Sequence, residues 1–283
     1  MRRAAAVAMG GVLAAACTDY DLRLRDKDER GAPDTADIDW GDDTAPPDTG
    51  DSGTPGDSGN TGPDEPDDPG AATAINYVHT ARTLYAWDSF SGLVRVGDFS
   101  EGGGFAEEIT DIAIDADGHM MAVSFTTLYR VDAQTAALTA VASLPGSTFA
   151  GLAFAGDGTL IGAADGLWRI DPTSGAATPL PGTSGLQTSG DVVGLPDGQL
   201  YWTTVGSSGD DLYVVDPASG SVQRVGPISE SGLWGVGYTE DRLYGFSSAG
   251  LVVEIDPATA AVTDTFPLAG TWWGATTNPV RWE

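Results

Sequence analysis

Two aspartates, Asp111 and Asp191, and two tryptophans, Trp234 and Trp273, recur at matching places in a repeated pattern of this chain. Carboxylates converging from separate segments can hold a hard cation such as calcium through oxygen. A pair of indoles can stack on a sugar ring. The same groups also have a structural reading, in which each Asp accepts backbone N–H bonds and each Trp fills a gap between packed elements. The two histidines, His79 and His119, are too few for a zinc site built on three imidazoles. His79 could serve as a base, whereas His119 sits beside an Asp-Gly turn. A serine nucleophile has no G-x-S-x-G motif to support it, and no catalytic signature is found.

The elements that must position these residues are read from a more regular set of acids. Asp88, Asp132, Asp171, Asp216 and Asp256 lie 44, 39, 45 and 40 residues apart, each ending an apolar strand and opening a turn into another short strand, as in LYVVDPASGSVQRVGPI. Asp at such a position accepts backbone hydrogen bonds, and the Pro that follows three of them presets φ, so these acids read as turn formers. Two further strands precede each marker, joined at Asp117-Gly118, Asp157-Gly158 and Asp197-Gly198, dipeptides that favour tight hairpins. Four antiparallel strands in a unit of about 40 residues make one blade of a β-propeller.

The first unit, in 74–99, lacks an inner strand, and TWWGATTN at 271–278 matches that slot. The expected fold is therefore an all-β, five-bladed β-propeller whose C-terminal strand closes the N-terminal blade, removing an edge that would otherwise template aggregation. Aligning the inner strands places Asp111, Gly151, Asp191, Gly235 and Gly274 in one ring, preceded by Thr110, Ala150, Gly190, Trp234 and Trp273. Both sets of short turns fall on one face. The opposite face carries the variable loops at 99–108, 181–188 and 205–211, where binding on a rigid scaffold concentrates. His79 falls nearer that face.

LYVVDPASGSVQRVGPI resembles half of the bacterial YVTN and NHL-type propeller repeat. The resemblance covers about three quarters of the chain and implies the fold alone, because such propellers serve both as binding platforms and as enzymes. Calcium-dependent propeller hydrolases and lactonases centre their metal on Glu, Asn and Asp. Here only Asp111 and Asp191 are suitably placed for that role.

The chain opens MRRAAAVAMGGVLAAAC, with two arginines and then thirteen uncharged residues, too few to cross a hydrocarbon core about 30 Å thick. This reads as a secretion signal over 1–16. Leu13-Ala14-Ala15-Ala16-Cys17 resembles the lipobox of bacterial lipoproteins, with Ala14 where Leu is usual. That resemblance implies lipidation of Cys17, membrane attachment through the lipid and, since Thr18 follows, sorting to the outer membrane. Ala14-Ala15-Ala16 equally satisfies ordinary signal cleavage, which would leave Cys17 a free thiol. As the only cysteine, it excludes a disulfide framework.

Residues 17–71 carry many Asp, Gly, Pro, Thr and Ser residues and too few apolar groups to offset the entropy of ordering, so a disordered acidic linker is expected. The propeller domain follows at 72–283. With 41 acids against 13 Lys and Arg, a net charge of −28, the chain has no clustered cations with which to bind nucleic acid or an anionic membrane surface. The reading that emerges is a membrane-tethered module of the cell envelope that binds an envelope protein, a glycan or a cation through its variable face. The alternative is a metal-dependent envelope hydrolase or lactonase.

Overall fold

The computed structural model describes residues 70–144 and 148–281. The expected secretion signal, the expected lipidation at Cys17 and the expected acidic linker as far as residue 69 lie outside the described residues.

Within them the chain forms five sheets arranged as a β-propeller, as the repeat predicts; each blade has four antiparallel strands, and the blade 2 sheet is extended to six by two short edge strands. From inner to outer strand, blade 1 is Gly274–Thr277, Asn76–His79, Thr83–Asp88 and Gly92–Asp98. Blade 2 is Ile109–Ile114, Met120–Ser124, Thr127–Val131 and Ala137–Ser143. Blade 3 is Gly151–Phe154, Leu160–Ala164, Gly166–Ile170 and Ala177–Pro179. Blade 4 is Thr188–Gly194, Leu200–Val205, Asp210–Val215 and Val222–Pro227. Blade 5 is Leu233–Thr239, Arg242–Ser247, Leu251–Ile255 and Val262–Pro267. A single turn of 3₁₀ helix, Pro279–Arg281, follows the last strand.

Burial is graded across each blade. Ile109–Ile114 and Met120–Ser124 are buried along their whole length, whereas the outer strand Ala137–Ser143 buries little beyond Leu138. Apolar side chains on both faces of the inner strands meet those of the neighbouring blades. Five hydrophobic clusters result, one per seam: Ala113, Met121 and Leu128 meet Phe149 and Leu152 between blades 2 and 3, for example. The seam between blades 5 and 1 is the most aromatic, with Trp87 set edge-on to Phe246 at 4.9 Å and tilted against Tyr244 at 5.0 Å.

The marker aspartates form the turns expected of them. Asp132 Oδ1 accepts the N–H groups of Gln134 and Thr135, and Asp216 Oδ1 those of Ala218 and Ser219. These turns also serve a second purpose that the repeat pattern does not reveal. The turns at Thr135, Gly175, Gly220 and Thr259 each pack against the end of the preceding blade's outer strand, with Arg169 reaching from blade 3 to the Pro217 carbonyl of blade 4 at 2.5 Å.

The Asp-Gly turns differ from the tight hairpin expected. Ile114 pairs with Met120, and Gly118, at φ +85°, ends a longer loop closed by hydrogen bonds between Asp115 and His119 and from Gly118 to Asp115. A left-handed Gly after a type I turn is the standard closure of such loops. Only blade 5 has a two-residue turn, Glu240-Asp241, and there both residues are left-handed without being glycine. The segment 99–108 is likewise not a free loop: Ser100–Glu101 pairs with Gly104–Phe105 and lies parallel to Ala137 and Leu138 at the edge of blade 2.

The C-terminal strand closes the N-terminal blade, as expected. Asn76, Tyr77, Val78 and His79 pair with Thr277, Thr276, Ala275 and Gly274. Ala72 N–H bonds to the Gly118 carbonyl and Asn278 Nδ2 to the Ala72 carbonyl, at 2.9 and 3.0 Å. Both ends of the domain therefore sit at the hairpin face, opposite the face where the inner strands begin.

Candidate functional site

Each inner strand approaches the propeller axis near its first residues, and in three blades an irregularity in pairing falls there. Ile109 pairs with Ser124 but Asp111 with Val123, so Thr110 is an extra residue; Trp234 is extra in the same way between Leu233 and Gly235. In blade 4 the shift spans Thr188 to Val192 and contains Asp191. A bulge re-aims the side chain next to it, so the sequence positions expected to form a ring are the ones the backbone redirects.

The ring is packed shut. Asp111 and Asp191 are each 0% exposed, and a β-carbon on Gly235 would lie 2.8 Å from the backbone of Gly274. One on Gly190 would collide with the backbone of Trp234. The two carboxylates are drawn together from blades 2 and 4 and anchored by backbone donors. Asp111 Oδ2 accepts Leu152 N–H at 2.5 Å; Asp191 Oδ1 accepts Val192 N–H at 2.6 Å, and its Oδ2 accepts those of Val236 at 2.6 Å and Ala275 at 3.4 Å. Asp191 thus ties blade 4 to blades 5 and 1.

Burial, followed by the proximity of Asp191, holds the Asp111 carboxyl well above the usual carboxylate range. Burial pushes Asp191 up to about 7, against the lowering effect of its hydrogen bonds. The marker aspartates Asp171 and Asp216, whose carboxylates take turn N–H donors, are instead held below the usual range.

His79, which stood apart in the sequence, belongs to this cluster. It ends the second strand of blade 1, is 0% exposed, and pairs with ring residue Gly274. Its Nδ1 lies 2.9 Å from the Thr80 carbonyl oxygen, and its Nε2 lies 3.6 Å from Asp111 Oδ1. Burial pushes its pKa down to about 4, so the ring is neutral at pH 7. Nε2 and Oδ1 have no hydrogen-bond partner among the described residues. The signal that could have located His79 is its register with the closing strand: pairing TWWGATTN with 76–79 sets it opposite Gly274.

Trp234 and Trp273 are also brought together, with ring centroids 6.2 Å apart and planes at 86°. Unlike the carboxylates they stay partly exposed. The four residues expected to act as one site therefore divide into a sealed acidic cluster on the axis and an indole pair reachable from solvent. Exposed apolar side chains Phe125 and Val205 stand on the loops of the same face.

Two other features lie at the hairpin end. Asp115, Asp117 and His119 bring potential ligand atoms within 4.8 Å of one another, but Asp115 Oδ1 already accepts the N–H groups of Asp117 and His119 in the turn. A cleft of about 280 Å³ is lined by Ile75, Tyr238, Asp241 and Arg281, at the opposite end of the inner strands from the axial acids.

No family model and no curated protein matches the chain. Among solved structures, the fold is similar to U3-55K at 12% identity, covering 68% of this chain and 60% of that one with a TM-score of 0.44. It is similar to hydrazine synthase of Kuenenia stuttgartiensis at 13%, covering 72% and 86% with a TM-score of 0.47. A Bacteroides thetaiotaomicron protein of unknown function is similar at 13%, covering 66% and 56% with a TM-score of 0.44. The chain thus spans 60% of the length of the first of these, and the likeness is one of general fold.

Proposed function

We propose that this chain is a recognition module of the cell envelope, held to the membrane through lipidated Cys17, and that it binds an envelope protein or glycan with the face bearing Trp234 and Trp273. The observation that carries this reading is the opposition of two ends. The chain enters and leaves the propeller at the hairpin face, at Ala72 and Asn278, while the partly exposed indole pair, Phe125 and Val205 lie on the other. The chain's point of entry at Ala72 is thus on the face away from the indoles. Aromatic side chains that combine apolar area with an N–H donor are the groups that dominate binding surfaces.

The hydrolase or lactonase alternative is disfavoured by the full burial of Asp111 and Asp191, since a substrate would have to reach them.

Crosslinking and capture from the native envelope tests the proposal, comparing the unaltered chain with one carrying Trp234→Ala, Trp273→Ala and Phe125→Ser after its melting curve is checked. A partner recovered by the unaltered chain and lost from the variant is expected; equal recovery from both would refute the assignment of the face. Cys17→Ser should release the protein from membranes, and continued retention would exclude the anchor.

A further inference from the structure

We propose that the corner formed by Trp234 and Trp273 binds the cationic side chains of a lysine- or arginine-rich protein segment. This rests on the recognition reading above and names the class of partner that the face takes.

The ring geometry favours a cation over a sugar. A sugar stacks along the flat of an aromatic ring, and two rings share one sugar only when their faces lie in a common plane or run parallel. The planes of Trp234 and Trp273 stand at 86°, so they form no common platform. A cation needs only a ring face within about 6 Å of the centroid. With centroids 6.2 Å apart, one ammonium or guanidinium group can lie within that distance of both rings. Both indoles are partly exposed and so open to such a group.

Charge points the same way. Among the described residues, the loops of this face carry Glu101, Glu107, Glu108, Asp165 and Glu230, and the one cation in them, Arg82, is paired with Glu108 at 3.4 Å. The carboxylates of Glu101, Asp165 and Glu230 have no hydrogen bond or ion pair with another described residue. At the hairpin end, by contrast, Asp115, Asp132 and Asp216 are taken up by turn N–H donors. Phe125, 46% exposed, adjoins Thr126, whose hydroxyl donates to the Glu107 carboxylate at 2.9 Å, so a second aromatic stands beside an acid. Opposite charge across an interface speeds encounter and selects the partner.

The spread of the acids decides between a small cation and a chain. Glu101, Glu107 and Glu108 lie between blades 1 and 2, Asp165 within blade 3, and Glu230 between blades 4 and 5 in the connection that leads to Trp234. A single ammonium compound meets the indole corner alone. A segment with several cationic side chains meets the corner and the outlying carboxylates together.

The probe is a dye-labelled hexa-arginine peptide, titrated against the full chain by fluorescence anisotropy at about 0.15 M salt, where diffuse attraction to the acidic linker is screened. Trp234→Leu with Trp273→Leu leaves the net charge unchanged and should weaken binding about tenfold, whereas Trp234→Phe with Trp273→Phe keeps the ring faces and should stay within about threefold. Glu230→Gln with Asp165→Asn should weaken binding and flatten its salt dependence. In the unaltered chain, which needs no folded variant, the indole N–H resonances of Trp234 and Trp273 should shift on titration while those of buried Trp87 and Trp202 stay in place. The proposal is overturned if the unaltered chain does not bind the peptide, or if the Leu variant binds it equally, which would assign binding to diffuse charge. Maltohexaose, a neutral glycan, binding at the indoles without displacement by hexa-arginine would overturn it as well. An envelope partner captured through the indoles that hexa-arginine fails to displace would leave the recognition face standing and sink this inference alone.

Discussion

Asp111 and Asp216 are the same residue type in the same repeat, yet their surroundings move their ionisation in opposite directions. Asp216 receives N–H donors at the surface and is held acidic, while Asp111 is sealed beside a second carboxyl and held neutral toward higher pH. The axial cluster contributes a pH dependence of its own. Asp191, at about 7 in the folded state against 3.8 unfolded, contributes stability at low pH that is lost as pH rises through about 7. His79, at about 4 folded against 6.5 unfolded, costs stability as pH falls from 6.5 toward 4. Asp111, whose carboxyl is likewise raised, adds a loss of the same sign as Asp191, so the two acids outweigh the opposing slope of His79. The melting temperature should therefore fall from these groups as pH rises from 4 to 7; a rise over that range would contradict the assignment.

A sharper test at this scale is Asp111→Asn. Its amide oxygen can keep the bond from Leu152 N–H while its NH₂ faces the His79 lone pair, and, unlike the raised carboxyl of Asp111, it cannot ionise as pH rises. Urea denaturation should show the variant gaining stability relative to the unaltered chain as pH is raised. A difference that stays constant with pH would mean that Asp111 is not held protonated in the fold.

At the scale of elements, the turns divide into those whose sequence suits their geometry and one whose sequence does not. Gly118, Gly158 and Gly198 supply the left-handed residue their loops need, at φ +85°, +83° and +79°. The blade 5 turn places Glu240 and Asp241 at φ +49° and +60°, where a side chain is unfavourable. Glu240→Asn, a residue that tolerates this region, should stabilise the domain by about 0.5–1 kcal/mol in thermal or urea unfolding. An unchanged midpoint would show that the turn is not strained.

The bulges are the other local feature with distant effect. Each inserts residues where the strand passes the axis, and this aims Asp111 and Asp191 inward. Aligning Asp111 with Gly151, Asp191, Gly235 and Gly274 was possible from the repeat. The bulges were not readable there, because an inserted residue is defined by the partner strand's count.

For the whole molecule, closure is the decisive event. The strand Gly274–Thr277 supplies the inner edge of blade 1, Trp272 fills the aromatic seam between blades 5 and 1, and Asn278 holds the entering chain at Ala72. Deleting 271–283 should abolish the cooperative melting transition of the propeller by circular dichroism, since it opens the Asn76–His79 edge and unpacks a full seam. A variant that melts as the unaltered chain does would refute the importance of this pairing.

Blade number, strand order and the closing strand were legible in the chain because a repeat of about 40 residues writes each blade in the same local code of apolar strand, Asp turn and Asp-Gly loop. The ring positions followed from that repeat as well. What the tertiary structure alone decided is the state of the residues on the ring. Closure brings blades 1, 2 and 4 together at one axis, so His79 from one end of the domain meets Asp111, which lies beside Asp191, and the packed backbones around Gly190, Gly235 and Gly274 seal them from water. Burial and charge at a point of convergence depend on segments far apart in the chain, and no local pattern encodes them. Trp234 and Trp273 stand one position before the acids' place in the repeat, and only the packing separated the partly exposed pair from the buried one.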